Sequence, residues 1–335
     1  MSMASSAANL LDRPPAAAAI AWPPAMGRRF MLWIDTEEEF DWAAPFNRNA
    51  TQVSVTSGMA RFQRFIAGAG VRPVYVTDYA VIEDPAANAL MREWIAEGSA
   101  DIGAHLHPWV TPPHQEEVNN FNSYSGNLPP ALERAKLIAL RNRIEERLGI
   151  RPIAYRAGRY GVGAHTAALL EEAGFRIDSS VRSRFDYRGQ HGPDFTGMPL
   201  HPYRAGPQGK LIELPLSTAY VGHLGHWGEK LLPRLQRAWR LSGAFSRSGL
   251  LARVPLTPEG VSATECCAAI DSLIAEDVPV LSLSFHSPTL EAGHTPYTRS
   301  PADIEGFYRW WDTVLAHLAR RNIRPLSQDE LLAAI

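Results

Sequence analysis

The chain has 335 residues, of which 45% are hydrophobic and 20% charged, the composition of an ordinary soluble globular protein. With 33 Lys plus Arg against 35 Asp plus Glu the net charge is -2, which excludes the basic excess of a nucleic-acid binder and the acidic excess of a solvating tail. Only two cysteines occur, adjacent at Cys266 and Cys267, so a disulfide framework and a cysteine-based zinc site are excluded.

Residues 1–28 are rich in Ala, Ser and Pro, and Pro14, Pro15, Pro23 and Pro24 bracket their one apolar run. No Lys or Arg precedes Arg13, so the charged start of an export signal is missing. The expectation is a disordered leader over 1–28, one domain over 29–335 and a cytoplasmic location. Short apolar runs then predict strands at 30–34, 71–77, 100–107, 152–155, 175–178, 211–214, 278–285 and, more weakly, 324–326. None approaches the ~18 to 20 residues of a membrane span. Between them, helical spacing predicts helices at 55–69, 87–97, 131–149, 164–173, 260–276 and 300–320. Two helix ends are well punctuated: Gly149 ends one helix, and Ser300, Pro301 and Asp303 open another. Strand and helix alternating about seven times predicts an α/β fold of parallel strands with crossover helices. Polar residues gather at the strand ends, where the active site of such folds lies. The stretches 108–130 and 182–210 are long, rich in Pro, Gly, Asn and aromatics, and placed to cover a site.

Five clusters could carry chemistry. His105 and His107 stand two apart on a predicted strand, so they share a side and can bind one metal ion; alternatively one is packed and the other hydrogen-bonded. Asp35 and Glu37 share a face in the same way, one able to complete a metal site and the other to act as a general base. Glu38 and Glu39 fit a solvated acidic loop better. The run Arg156-Ala-Gly-Arg159-Tyr160-Gly could present backbone N–H groups to an oxyanion and an Arg to a carboxylate, or form a tight turn with a structural ion pair. His286 ends the last long apolar run, placed to protonate a leaving group or to pack in the core. Asp178, before Ser179 and Ser180, could support the site. Trp109, Tyr124, Trp227 and Tyr297 are aromatic loop residues able to stack on a sugar. His191, His201, His223, His226 and His294 are weaker candidates. The sequence has no nucleotide-binding glycine loop and no Gly-x-Ser-x-Gly elbow.

In their order these clusters resemble the motifs of the polysaccharide deacetylase family with the NodB-homology domain, over roughly residues 29 to 330. Asp35 resembles the family's base, and Glu37 stands where its metal carboxylate would. His105 and His107 match the histidine motif, but two apart rather than four. Arg156 to Gly161 resembles the third motif with Gly for Pro, and Ser284-Phe285-His286 the fifth with Ser for Leu. The resemblance implies a distorted (β/α)7 barrel and one divalent metal ion, zinc foremost, on Glu37, His105 and His107. It implies hydrolysis of an N- or O-acetyl group on a carbohydrate. Asp35 would be the base, His286 the acid, and Arg156 or Arg159 would orient Asp35. Asp178 would support the site, a backbone N–H near Tyr160 would meet the oxyanion, and Tyr160 and Trp109 would touch substrate. Three other readings remain: hydrolysis of a non-sugar amide on the same fold, a metal-free glycosidase using Asp35 and one of Glu37 to Glu39, and a metal-free carbohydrate-binding protein with a degenerate site.

Overall fold

A computed structural model describes residues 8–41, 44–229, 231 and 250–335. Trp42, at the end of the acidic cluster, lies outside the described residues. Eleven strands occur among them: β1 Arg29–Thr36, β2 Val74–Thr77, β3 Asp101–Leu106, β4 Ala154–Ala157, β5 Ile177–Asp178, β6 Tyr203–Ala205, β7 Leu211–Glu213, β8 Thr218–Val221, β9 Ala252–Pro255, β10 Val280–His286 and β11 Arg324–Pro325. Every predicted strand is present within a few residues. The predicted helices appear as Thr56–Gly68, Pro85–Glu97, Pro130–Leu148, Thr166–Ala173, Ala263–Ala275 and Pro301–Arg320. Two short helices, Tyr79–Glu83 and Gln328–Ala334, and the strands β6, β8 and β9 were not expected.

Seven strands pair in parallel in the order β10-β1-β2-β3-β4-β5-β7, and β6 adds antiparallel to β7 at one edge. The sheet curls into an incompletely closed (β/α)7 barrel. Across the gap, the Ser282 N–H donates to Ser217 Oγ at 2.9 Å and the Ser284 N–H to the Leu256 carbonyl at 3.1 Å. Alternation sorts the side chains into two layers. Met31, Trp33, Val74, Val76, Ala154, Ile177, Leu214 and Val280 fill the barrel interior. Phe30, Leu32, Ile34, Leu106, Tyr155, Leu281, Leu283 and Phe285 face the surrounding helices. The inner face of β1 therefore runs Met31, Trp33, Asp35 and on to Glu37: two apolar floor residues, then two carboxylates at the C-terminal end.

The helix Pro301–Arg320 starts where predicted, because Ser300 and Asp303 form a capping box around Pro301. Its Phe307 and Trp311 pack with Phe62 and Phe285, with centroid separations of 4.9 to 6.3 Å, which fixes the outer face of β10 under His286. Burying each such ring contributes about 1.5–3 kcal/mol.

The expected disordered leader is corrected over residues 8–28. Leu10 and Ala18 are buried, Trp22 and Met26 pack against the barrel floor, and the Ile20 N–H donates to the Pro202 carbonyl at 3.1 Å. The prolines limit this stretch to two single 3-10 turns, Ala16–Ala18 and Pro24–Met26, and leave its apolar side chains free to dock. Residues 1–7 lie outside the described residues.

Candidate active site

The inner face of β3 carries His105 and continues to His107, beside β1 at one remove and directly against β4. Both imidazoles are buried and converge on Glu37. His105 Nε2 lies 3.6 Å and His107 Nε2 3.4 Å from Glu37 Oε2, and the ligand atoms of the three residues all lie within 4.8 Å of one another. Their other ring nitrogens are already engaged: His105 Nδ1 is 3.0 Å from the Arg156 carbonyl, and His107 Nδ1 is 2.8 Å from Glu38 Oε2. Those acceptors hold a proton on each Nδ1 and turn both Nε2 atoms toward Glu37, as donors to the bare carboxylate and, once deprotonated, as ligand nitrogens for an ion. Glu37 Oε1 is buried without a hydrogen-bond partner. Burial alone would raise the Glu37 carboxyl, but His286, His105 and His107 hold it well below the usual range. An anionic oxygen and two oriented imidazole nitrogens fit a divalent ion. Tetrahedral zinc with ligand bonds of about 2.0–2.2 Å needs ligand atoms roughly 3.3–3.6 Å apart.

Glu38, expected in a solvated loop, is corrected: it is fully buried. One oxygen accepts from His107, and the other accepts from Trp109 Nε1 at 2.6 Å. A carboxylate behind a ligand histidine fixes its tautomer and raises its basicity. Trp109 is likewise corrected as a substrate contact. It is 2% exposed and stacks behind His107 at a centroid distance of 4.2 Å. Asp78 also approaches, but it caps the helix Tyr79–Glu83 through the Val81 N–H at 2.7 Å. Burial and the neighbouring Glu38 push its carboxyl well up. Lys136, wholly buried, donates to the Pro108 and Thr111 carbonyls and pairs with Glu116, pinning the loop that follows the two histidines.

Asp35 sits next to this centre. Arg156 Nη1 donates to Asp35 Oδ1 at 2.5 Å, while its Nε and Nη2 hold the Ser179 carbonyl and hydroxyl. Burial would raise the Asp35 carboxyl, yet Arg156, with His105 and His286, holds it below the usual value. Of the two arginines expected to orient Asp35, Arg156 does so. Arg159 turns into the pocket instead and donates to Asn120, Ser123 and Gln190. Asp35 and His286 are register partners on β1 and β10, with Asp35 Oδ2 3.8 Å from His286 Nε2. Glu259 accepts from the His286 N–H at 2.9 Å and meets Nδ1 at 2.7 Å. Burial would lower the imidazole, but Glu259, with Glu37 and Asp35, pushes it up to about 10.

Asp178 is not in the pocket. Its neighbour Ile177 belongs to the barrel interior, so Asp178 points to the opposite face. There it accepts from Ser180 Oγ at 2.6 Å, and Ser180 Oγ accepts from the Ala157 N–H. It supports the β4 backbone rather than the chemistry. Gly158 is needed by space: a Cβ there would lie 2.4 Å from His107 Cδ2 and 2.6 Å from the Leu106 carbonyl oxygen. The next two residues, Arg159 and Tyr160, both have positive φ, 56° and 59°.

A cavity of about 310 Å³ lies over Asp35, Glu37, His105, His107 and His286. Tyr124, Tyr160, Tyr187 and Gln190 reach it, so both long loops do cover the site. Tyr297 lines it as expected, whereas Trp227 is 47% exposed and does not line it. Of the weaker histidines, His201 meets the Asp277 carbonyl and His294 lies against Glu39. The latter carboxylate takes the Ser54 and Val55 N–H groups ahead of the helix Thr56–Gly68, so Glu39 is a structural residue. Sequence reasoning missed Glu38 and Glu259. Glu38 is one step out of phase with the metal-facing residues, and Glu259 lies in a Pro-Glu-Gly turn far along the chain.

No family profile and no curated protein matches the sequence. Among solved structures, the chain resembles a 4-alpha-glucanotransferase from Thermococcus litoralis, at TM-score 0.52 and 13% identity over 92% of this chain and 41% of the other. It resembles a GH57-type branching enzyme from Pyrococcus horikoshii at TM-score 0.50 and 12% identity, over 91% and 70%. A protein from Mycobacterium smegmatis described as a polysaccharide deacetylase aligns at TM-score 0.49 and 18% identity, over 94% and 98%. No helix among the described residues is long and apolar enough to cross a membrane. The strand order and the first two likenesses give one conclusion: the chain has an incompletely closed (β/α)7 barrel fold.

Proposed function

We propose that this protein is a metal-dependent hydrolase that removes an acetyl group from a carbohydrate. The observation that carries the reading is the convergence of Glu37, His105 and His107, their Nδ1 atoms tied back, beside an Arg-clamped Asp35 and a Glu-backed His286. A divalent ion held by the three residues, zinc foremost, would supply a Lewis acid for the acyl carbonyl and an acidified water. Asp35, kept ionised and oriented by Arg156, takes the proton of the attacking water. The turn at Arg159 and Tyr160 faces the developing oxyanion. His286, charged through Glu259, gives its proton to the departing amine or alcohol. The glycosidase alternative fits less well. Asp35 is bound to Arg156 and Glu37 faces two imidazoles, so neither is the protonated partner that a carboxylate pair needs.

The test is metal content per chain by elemental analysis, as purified and after zinc loading and desalting, followed by acetate release from a panel of N- and O-acetylated sugars. About one retained ion and metal-dependent acetate release are expected, with both lost in His107→Ala. Wild-type metal occupancy in that variant would overturn the ligand assignment. Metal-dependent hydrolysis confined to non-sugar amides would move the function to the amide reading.

A further inference from the structure

The cavity has two electrically different halves. In one, every charge has a counterpart: Asp35 with Arg156, Glu259 with His286, Glu37 with the two imidazoles. The other half holds two guanidinium groups with no carboxylate in ion-pair contact, Glu259 reaching Arg182 only at longer range. Arg159 donates only to neutral oxygens, those of Asn120, Ser123 and Gln190. Arg182 uses one of the five N–H donors of its guanidinium, on Tyr187 Oη at 2.9 Å. Neither forms an ion pair with a described residue, and both line the cavity. Tyr160 separates the halves, its phenol raised by burial and by Asp35 and pulled down by Arg182.

These cations are held in place rather than left to solvent. The Arg182 guanidinium lies over the rings of Tyr160 at 5.0 Å and Phe185 at 4.1 Å, and Arg159 over Phe46 at 5.0 Å and Tyr124 at 4.1 Å. Arg253 occupies another approach to Phe185, at 3.8 Å, adding positive field. Aromatic contacts orient a guanidinium but satisfy none of its in-plane donors. Two partly desolvated cations with unused donors on one small cavity are costly unless an anion completes them. The cavity volume is at the low end for ligand sites and suits one substituted sugar ring.

Building on the deacetylase reading, we propose that the substrate is an acetylated sugar bearing an anionic group, a carboxylate or a phosphate. Arg159 and Arg182 bind that group while the acetyl group faces Glu37, His105 and His107. The test is calorimetric binding to the zinc-loaded protein of N-acetylglucosamine, its 6-phosphate and N-acetylmuramic acid, with acetate release measured in parallel. The phosphate and the lactyl carboxylate separate the two sources of charge. At least one anionic sugar is expected to bind about 10- to 100-fold tighter than the neutral one, the span of a charge-assisted contact. In Arg159→Gln and in Arg182→Gln the preference should shrink about 10-fold or more. Arg159→Gln serves where the more enclosed Arg182 variant fails to fold. Equal or tighter binding of the neutral sugar, no binding of any probe, or an undiminished preference in the folded variants would overturn the proposal. A charge preference without acetate release would leave the anion site at Arg159 and Arg182 standing and remove the deacetylase reading. Acetate release from neutral sugars alone would do the reverse.

Discussion

Replacing Gly158 by Ala tests whether the histidine pair is a metal site or a packing feature. The added methyl carbon would lie 2.4 Å from His107 Cδ2 and 2.6 Å from the Leu106 carbonyl oxygen. Carbon atoms pack at about 3.5–4.0 Å, and the carbonyl belongs to a strand that cannot retreat, so the imidazole must give way by about 1 Å. Metal sites tolerate ligand displacements of about 0.2 Å. Zinc affinity should therefore fall about 100-fold, the scale of a 1 Å misplacement at a working site. Overpacking alone should cost about 1–3 kcal/mol of stability. Two assays separate the effects: chelator competition gives the zinc dissociation constant, and thermal melting of the metal-free protein gives the packing cost. A destabilised variant with wild-type zinc affinity would refute the reasoning, because His107 would then have moved without disturbing any metal ligand set.

Glu38→Ala removes the acceptor behind His107 and should weaken zinc binding about 10- to 100-fold, read by the same competition. His286→Ala should keep its metal and lose turnover by about 10²- to 10⁴-fold; metal loss there would make His286 a ligand. In Glu259→Gln the imidazole loses the carboxylate that helps push it up to about 10, so it deprotonates at lower pH. The alkaline limb of kcat should move down by about a unit or more, and an unmoved limb would exclude His286 as the acid. Glu133, buried beside the Thr166 hydroxyl, has its carboxyl pushed up to about 7 by burial. A carboxyl raised on folding binds its proton more tightly in the native state. Its contribution is therefore complete below about pH 4.5 and is lost as pH rises through 7. Glu133→Gln should narrow the difference in unfolding free energy between pH 5 and pH 8 by up to roughly 3 kcal/mol, measured by urea titration; an unchanged difference would show that Glu133 is ionised in the fold.

The barrel was legible in the sequence because its strands are buried on both faces. Continuous runs such as 278–285 stand out in such sheets, and cap residues such as Ser300 and Gly149 mark helix ends locally. The antiparallel pair β8 and β9 was not legible, since its two strands lie 30 residues apart with no turn signal joining them. Asp35 with Glu37 and His105 with His107 were singled out by the two-residue period of a strand, and His286 by its place at the end of an apolar run; the structure brings all five to one cavity. A strand-end position alone does not say which face a residue takes, and Asp178, on a strand of only two residues, lies on the face opposite Ile177. Glu38 and Trp109 were misplaced because the loops beyond β1 and β3 fold back into contact, which no local pattern encodes. Arg156 and Arg159 could not be told apart until backbone geometry showed Arg156 still on its strand and Arg159 turned by a positive φ.

The pairing of Asp35 with His286 across β1 and β10 has a consequence for how the site can change. The spacing between the two groups is set by the ladder of main-chain hydrogen bonds, a ruler of about 4.8 Å per strand, and not by loops that drift. Arg156 is gauged the same way, opposite His105 on the neighbouring rung. Loops above the barrel can lengthen, shorten or exchange aromatic residues, and so alter which molecule is admitted, without disturbing this gauge. A single-residue slip in β1 has no such freedom. It would send Asp35 and Glu37 to the helical layer together and bring Ile34 and Thr36 inward, erasing the chemistry in one step. Variation in what the cavity admits can thus be gradual, while the constellation of Asp35, Glu37 and His286 is kept or lost whole.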